Sequence, residues 1–185
     1  PSAVEPFCRQ AAEHIRRFLR QTHGRAFVLF TSYSMMHRLA ADLQSFFQEE
    51  GLTVLEQGGG LPPRKMLEEF KATPGAVIFG TASFWTGVDV PGDALSNVII
   101  TRLPFAVPDH PLTAARIEKI ESQNGNAFRD YSIPEAVLKF RQGFGRLIRT
   151  RSDTGIVVIL DSRVIRKRYG ISFLGSIPAC PVELF

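Results

Sequence analysis

Residues 142–150 combine an amide and two arginines at a spacing that suits phosphate chemistry. At about 100° per residue, Gln142, Arg146 and Arg149 would fall within an arc of roughly 60° on one side of a helix. The guanidinium of arginine is planar, forked and permanently charged, so it can make two parallel hydrogen bonds to phosphate oxygens. Binding of a phosphate-bearing ligand is therefore one hypothesis, and an amphipathic helix with a solvated basic face is the alternative.

The residues that must position these side chains are expected to form a helix that begins near Ser132. Ser132 and Glu135 have capping-box spacing, and Pro134 suits the first turn because its missing N–H costs nothing there. Gly143 and Gly145 each cost about 1 kcal/mol inside a helix relative to alanine, so we expect another backbone or a ligand to come close to them. The apolar residues expected to pack on a core from the opposite side are Val137, Phe140, Phe144, Leu147 and Ile148.

A second candidate site lies at residues 80–92, directly after an apolar run. It contains Thr81, Gly87 and Asp89 in the arrangement T-x-x-x-x-x-G-x-D. In open parallel sheets, ligands bind at the carboxyl ends of the strands, and this polar, glycine-rich segment falls at such an end. A tight loop in which Asp89 is merely a turn carboxylate remains the alternative. Trp85 is expected to be a packing residue.

Five apolar runs alternate with helical patterns and predict an α/β fold: a doubly wound, mainly parallel sheet with helices on both faces. The strands are expected at 25–31, 52–56, 76–79, 96–103 and 155–160, and the last is expected to be the most buried. Helices are expected at 6–21, 35–50, 62–71 and 112–122. Ser34 is expected to cap the second of these helices. We expect one domain over residues 1–185, with its core at about 25–168 and an irregular tail at 169–185.

The net charge of +4 makes an anionic partner plausible, and the uneven distribution of the charges along the sequence favours one more strongly. Residues 139–168 contain nine Lys and Arg against two acids, which is typical of a phosphate-binding or nucleic-acid-binding face. The phosphate-loop pattern G-x-x-x-x-G-K-[ST] occurs nowhere in the sequence. The G-x-G at 143–145 follows a helical pattern and not a strand, which excludes a dinucleotide fingerprint.

Other features exclude several classes of protein. Cys8 and Cys180 lie at opposite ends of the sequence and have no ligand spacing. They are expected to be free thiols in a reducing cytoplasm, and a metal or iron–sulfur site within this chain is not expected. No apolar run approaches membrane-spanning length, so no membrane partner is expected.

The string at 142–150, QGFGRLIRT, fits Q-x-x-G-R-x-x-R and resembles motif VI of superfamily 2 helicases, in the form found in the DinG/XPD branch. The arrangement of Thr81, Gly87 and Asp89 resembles motif V of the same superfamily. Residues 103–112, LPFAVPDHPL, are also similar to the DinG-like family. These resemblances fall within residues 25–168, which are most of the chain.

This resemblance implies a RecA-like fold and the role of a second motor domain in a DinG-type ATP-dependent DNA helicase. It implies that Arg146 and Arg149 reach the γ-phosphate of ATP across an interdomain cleft, with Gln142 orienting them. Gly87 and Asp89 would face the nucleotide. The residues that would contact single-stranded DNA are Thr31, Ser32, Tyr33 and Thr81.

The resemblance also implies partners. The N-terminal motor domain of the same parent protein would bring the Walker A and Walker B residues and the Mg²⁺ ion. The sequence starts at Pro1 and not at Met, so we expect a piece of a longer protein, and without a phosphate loop we expect no ATP hydrolysis by this chain alone. Two alternatives remain open: a non-catalytic module that binds single-stranded nucleic acid, and a stand-alone Rossmann-like enzyme acting on a small phosphorylated ligand.

Overall fold

The computed structural model describes residues 4–86, 94–107, 110–148 and 154–185, and its framework is a five-stranded sheet. The strands are β1 (Ala26–Leu29), β2 (Thr53–Glu56), β3 (Ala76–Gly80), β4 (Asn97–Ile100) and β5 (Ile156–Ile159). Their order is β2-β3-β1-β4-β5, and each neighbouring pair is parallel. The predicted α/β class is confirmed.

The helices cover both faces of this sheet. They are α1 (Val4–Thr22), α2 (Tyr33–Asp42), α3 (Gln44–Glu49), α4 (Pro63–Ala72), α5 (Ala82–Thr86), α6 (Pro111–Ser122), α7 (Ile133–Phe144), α8 (Arg163–Arg166) and α9 (Gly170–Leu174). Side chains alternate between the faces of a strand, so Phe27 of β1 enters the core under α4 and α7, while Val28 enters the core under α1 and α2. This is the doubly wound arrangement that the sequence predicts.

The three central strands are the buried ones. Every residue of β1, β3 and β4 is buried, whereas only Val158 of β5 is. The prediction that the strand near 155–160 would be the most buried is therefore wrong. The reason is topological, because β5 pairs with β4 on one side and forms an edge of the sheet.

The helix expected at 35–50 is two helices. Leu43 separates α2 from α3, with φ −103° and ψ 0°. The cap of α2 is Ser32 and not Ser34: the backbone of Ser32 is extended, and its Oγ accepts a hydrogen bond from the N–H of Met35 at 3.4 Å. Ser34 already lies within the helix, so it cannot act as an N-cap.

The helix α7 starts near the expected residue but without the expected cap. Ser132 has helical backbone angles and makes no capping hydrogen bond through its side chain. A π-helical turn at Phe128–Ser132 leads directly into α7. Because the backbone is already helical at Ser132, the capping box predicted for Ser132 and Glu135 does not form. Pro134 does occupy the first turn, as predicted.

The segment after residue 169 is more ordered than the sequence indicates. It was expected to be irregular, yet α9 forms at Gly170–Leu174 and its Phe173 is fully buried. The ring of Phe173 packs edge-on against Phe140 of α7, with the ring centroids 5.4 Å apart. The start of this segment therefore belongs to the core that supports α7.

A buried carboxylate connects the ends of β4 and β5. Asp161 accepts hydrogen bonds from the N–H of Leu103 at 2.9 Å, from the N–H of Arg163 at 3.1 Å, and from the Arg163 guanidinium at 2.6 Å. Burial opposes ionisation of this carboxyl, but the hydrogen bonds from Arg163 and Leu103 outweigh it and hold the pKa of Asp161 below its usual range. Arg163 is thus paired with Asp161.

We expect Asp161→Asn to lower the free energy of unfolding of the 185-residue chain by about 1–3 kcal/mol near pH 7, because an amide cannot accept all of these hydrogen bonds. A carboxyl with a lowered folded-state pKa stabilises the fold above its unfolded pKa of about 3.9, and this contribution is lost as the pH falls further. The difference between wild type and variant in urea denaturation should be constant from about pH 7 to pH 5 and shrink below about pH 4. A difference that stays constant at lower pH would contradict this account.

Candidate functional site

The carboxyl ends of the parallel strands bring the candidate residues to one edge of the sheet. Thr31 follows β1, Gln57 follows β2, and Thr81 follows β3. The strand pairing continues slightly past these ends, since the N–H of Phe30 donates to the carbonyl of Gly80 and the N–H of Gln57 donates to the carbonyl of Phe79. The loops that leave β1, β2 and β3 therefore start from a fixed backbone frame.

Arg146 is held at this edge by a backbone carbonyl. Its Nη2 donates a hydrogen bond to the carbonyl oxygen of Trp85, at 3.2 Å, and its side chain is half-buried. Trp85 belongs to α5, the short helix directly after β3. The structure thus joins the two stretches that the sequence analysis identified separately, at residues 80–92 and 142–150.

The ring of Trp85 explains why glycine occupies position 143. A Cβ atom at Gly143 would lie 2.8 Å from Cε3 of Trp85 and 3.2 Å from Cδ1 of Leu29. The indole N–H donates to the carbonyl of Phe30 at 3.0 Å, which fixes the ring against α7. Gly143 is therefore closely approached, but by the side chain of Trp85 and not by the backbone or ligand that the sequence led us to expect. Trp85 is buried, as predicted for a packing residue.

The helical arc predicted for Gln142, Arg146 and Arg149 does not hold along its whole length. The helix α7 ends at Phe144 with Gly145 as its C-cap, and the N–H of Arg146 bonds to the carbonyl of Gly143. The spacing of about 100° per residue applies only within a helix, and Arg146 lies beyond the last residue of α7. The position of Arg146 is therefore set by the turn after α7 and by its hydrogen bond to Trp85. Gln142 is half-buried in the last turn of α7. Gly87, Asp89 and Arg149 lie outside the described residues.

The residues that the sequence analysis proposed as DNA contacts differ in their exposure to solvent. Thr31 is exposed, Ser32 is half-buried as the cap of α2, and Tyr33 is 47% exposed. Thr81 is buried, with 4% of its surface accessible. The structure therefore presents Thr31 and Tyr33 to solvent and keeps Thr81 inside.

Gln57, the first residue after β2, connects these residues. Its Oε1 accepts hydrogen bonds from the N–H of Thr81 at 2.7 Å and from Oγ1 of Thr81 at 3.0 Å. Its Nε2 donates to the hydroxyl of Tyr33 at 2.8 Å and to Oγ of Ser83 at 2.9 Å. The only signal in the sequence was that Gln57 directly follows a strand, at the edge where ligands bind in such sheets.

The described residues also bear on metal binding, on membrane spans and on the state of the cysteines. Residues 4–86, 94–107, 110–148 and 154–185 contain no group of three or more His, Cys, Asp or Glu arranged to hold a metal ion. No helix among them has both the length and the apolar character needed to cross a membrane. Cys8 is buried, Cys180 is exposed, and both are free thiols.

Comparison with known sequences finds a matching family model and similar proteins. The family model described as "Helicase C-terminal domain" matches residues 15–180. The chain is 50% identical over 155 residues to the ATP-dependent DNA helicase YoaA of Haemophilus influenzae, a match that covers 84% of this chain and 24% of that protein. It is 41% identical over 178 residues to the 3'-5' exonuclease DinG of Bacillus subtilis, covering 96% of this chain and 19% of that protein. The chain thus spans about a fifth to a quarter of the length of these relatives.

Solved structures support the same fold. An XPD helicase superposes with a TM-score of 0.65 over 89% of this chain and 30% of its own, at 17% sequence identity. Domain 2 of a DEAD-box helicase, solved with an RNA duplex, superposes with a TM-score of 0.54 over 88% of this chain and 52% of its own, at 16% identity. At these identities the likeness concerns the fold alone, and it confirms the predicted RecA-like architecture.

The packing of Trp85 on Gly143 predicts a steric effect. We expect Gly143→Ala to lower the free energy of unfolding of the chain by about 1–3 kcal/mol, because the added methyl group overlaps the indole ring, even though alanine is the better helix former. Gly145→Ala is the matched control and should have a smaller effect, since its Cβ would meet nothing closer than a carbonyl oxygen at 3.2 Å.

A second background checks the cause of that loss. Trp85→Leu removes Cε3 and Cζ3 of the indole, the two ring atoms that a Cβ at position 143 would meet, so Gly143→Ala should cost less in that background when both are measured by urea denaturation. Equal losses in the two backgrounds would show that Trp85 is not the group that excludes a side chain at position 143.

Proposed function

The chain belongs to the helicase C-terminal domain family, and we propose that it is the second motor domain of an ATP-dependent DNA helicase of the DinG type. In this proposal it supplies Arg146 and Arg149 to an ATP site between two motor domains, with Gln142 orienting them and with Gly87 and Asp89 facing the nucleotide. It also supplies part of the path of single-stranded DNA. Relatives named ATP-dependent DNA helicases support the choice of ATP and DNA as ligands.

The observation that carries the proposal is the anchoring of Arg146 on the Trp85 carbonyl. A guanidinium fixed at the edge of the sheet is pre-organised, so less of its side-chain freedom is lost when it meets a phosphate. An arginine brought to a transferring γ-phosphoryl group stabilises the charge that develops there and increases the rate by about 10³–10⁵. The local excess of Lys and Arg at 139–168 favours the same ligand chemistry.

The remaining parts of the ATP site are proposed to come from outside this chain. The phosphate-loop pattern is absent from its sequence, and the chain covers 19–24% of the relatives described above. We therefore assign the Walker A and Walker B residues and the Mg²⁺ ligands to an N-terminal motor domain of the same parent protein. Closure of the cleft between the two domains would bring Arg146 to the phosphates and would shift the loops that carry the DNA. This chain alone would not hydrolyse ATP.

The proposed DNA path runs along the carboxyl ends of β1 and β3. Exposed Thr31 and Tyr33 stand at the first of these ends, with Ser32 as the helix cap between them, and Thr81 stands at the second. If the domain instead is a non-catalytic module that binds single-stranded nucleic acid, its binding should be tight and strongly salt-dependent, and Arg146 should be irrelevant to nucleotide turnover.

The ATPase activity of the full-length parent protein with saturating single-stranded DNA separates these two functions. We expect Arg146→Ala to lower the turnover number by about a hundredfold or more, because the lost charge acts on the transition state. DNA binding, measured by fluorescence anisotropy, should be kept. Arg149→Ala is expected to behave in the same way.

The matched control is Arg9→Ala, which removes the same charge from an exposed position of α1, outside the basic stretch at 139–168. This variant should keep its turnover within about twofold of wild type, since a surface charge away from the site contributes little. Unchanged turnover in Arg146→Ala would contradict the proposal and would favour the binding module.

A further inference from the structure

The side-chain amide of Gln57 has a determined orientation. Its Oε1 faces the backbone N–H of Thr81 at 2.7 Å, and an N–H can only donate, so the oxygen and not the nitrogen must lie there. The nitrogen consequently faces Tyr33 and Ser83. An amide has two donor hydrogens and one acceptor oxygen with two lone pairs, and all of this capacity is used by the three neighbours.

This orientation fixes what Tyr33 and Ser83 can offer to a ligand. Each of their hydroxyl oxygens accepts a hydrogen bond from Nε2 of Gln57, so the single hydrogen of each hydroxyl is left to be donated elsewhere. Ser83 is exposed and Tyr33 is about half exposed. The pair therefore presents two hydroxyl groups whose hydrogens are available for donation; the two groups flank one nitrogen and face solvent at the edge where the strands end.

We propose that Gln57 is a positioning residue that sets the hydroxyls of Tyr33 and Ser83 to donate to the phosphodiester backbone of single-stranded DNA. Phosphate oxygens only accept hydrogen bonds, so they match a pair of donors, and contacts of this kind hold a strand without reading its sequence. The inference rests on the proposed function, because it refines the DNA path named there. It adds Gln57 and Ser83 to that path.

The same geometry changes the role of Thr81. Its N–H and its hydroxyl hydrogen are both directed to Oε1 of Gln57, and its side chain is buried. Thr81 therefore holds the amide in place, and the direct contact passes to Ser83, two residues further along in α5. Three loops, after β1, β2 and β3, thus meet at one amide group.

Gln57→Glu is the most informative substitution, because it preserves the size of the side chain and reverses the direction of its hydrogen bonds with Tyr33 and Ser83. A carboxylate still accepts from Thr81, but it cannot donate, so the hydroxyls of Tyr33 and Ser83 would turn inward to donate to it. In the full-length parent protein, we expect the dissociation constant for an oligo-dT strand to rise about tenfold or more, given the strength of hydrogen bonds to charged groups. The DNA concentration for half-maximal ATPase should rise in parallel, while the turnover at saturating DNA stays within about twofold.

Two comparisons distinguish positioning from a change of charge. Gln48→Glu introduces the same charge at an exposed site of α3 and should leave DNA affinity within about twofold of wild type. In a Tyr33→Phe/Ser83→Ala background, Gln57→Glu should lose most of its effect, because the hydroxyls through which it acts are gone. An unchanged affinity in Gln57→Glu, or an equal loss in both backgrounds, would overturn the inference.

The outcome is separable from that of the ATP-site proposal. If Arg146→Ala keeps full turnover while Gln57→Glu weakens DNA binding as described, the arginine role falls and the positioning role stands. If Gln57→Glu binds DNA as wild type does while Arg146→Ala loses turnover, the positioning role of Gln57 is refuted and the proposed role of Arg146 is supported. A parent protein that binds no single-stranded DNA would overturn the inference directly.

Discussion

The packing of the Trp85 ring on Gly143 is the contact on which the geometry of the site depends. It presses α5, which follows β3, against the end of α7, and the indole N–H ties the same ring to the carbonyl of Phe30 after β1. The main-chain carbonyl of Trp85 then holds Arg146. One residue thereby sets the position of the arginine relative to two strand ends, and any side chain larger than hydrogen at position 143 would disturb all of these contacts.

The parallel sheet makes these contacts possible, because it brings together the carboxyl ends of strands that are distant in sequence. Gln57 and Thr81 are hydrogen-bonded although they are 24 residues apart, and Arg146 lies 61 residues from Trp85. The arginine contact and the Gln57 network share α5, since Ser83 and Trp85 both belong to it. The proposed ATP and DNA contacts therefore both depend on the five-residue helix α5, and a shift of α5 would displace both Arg146 and the hydroxyl of Ser83.

Sequence patterns predict the framework well and the local connections poorly. Buried strands such as β1 and β3 follow from continuous apolar runs, and close packing at Gly143 follows from the cost of glycine in a helix. The capping box at Ser132 and the helical arc through Arg146 failed because each assumed that a local pattern continues, whereas a π-helical turn precedes α7 and a glycine ends it. The role of Gln57 is not visible in the sequence, since a lone glutamine after a strand has no local pattern and its partners come from two other loops.

The proposed role of Arg146 is tested most directly by comparing transition-state and ground-state affinity. The measurement is the affinity of the full-length parent protein, with single-stranded DNA bound, for ADP with aluminium fluoride and for a non-hydrolysable ATP analogue, in wild type and in Arg146→Lys. Lysine keeps the charge but loses the planar fork. Our account predicts that the variant loses at least about tenfold more affinity for the transition-state mimic than for the ATP analogue. Equal losses for both ligands would contradict it, because Arg146 would then contribute only to nucleotide binding.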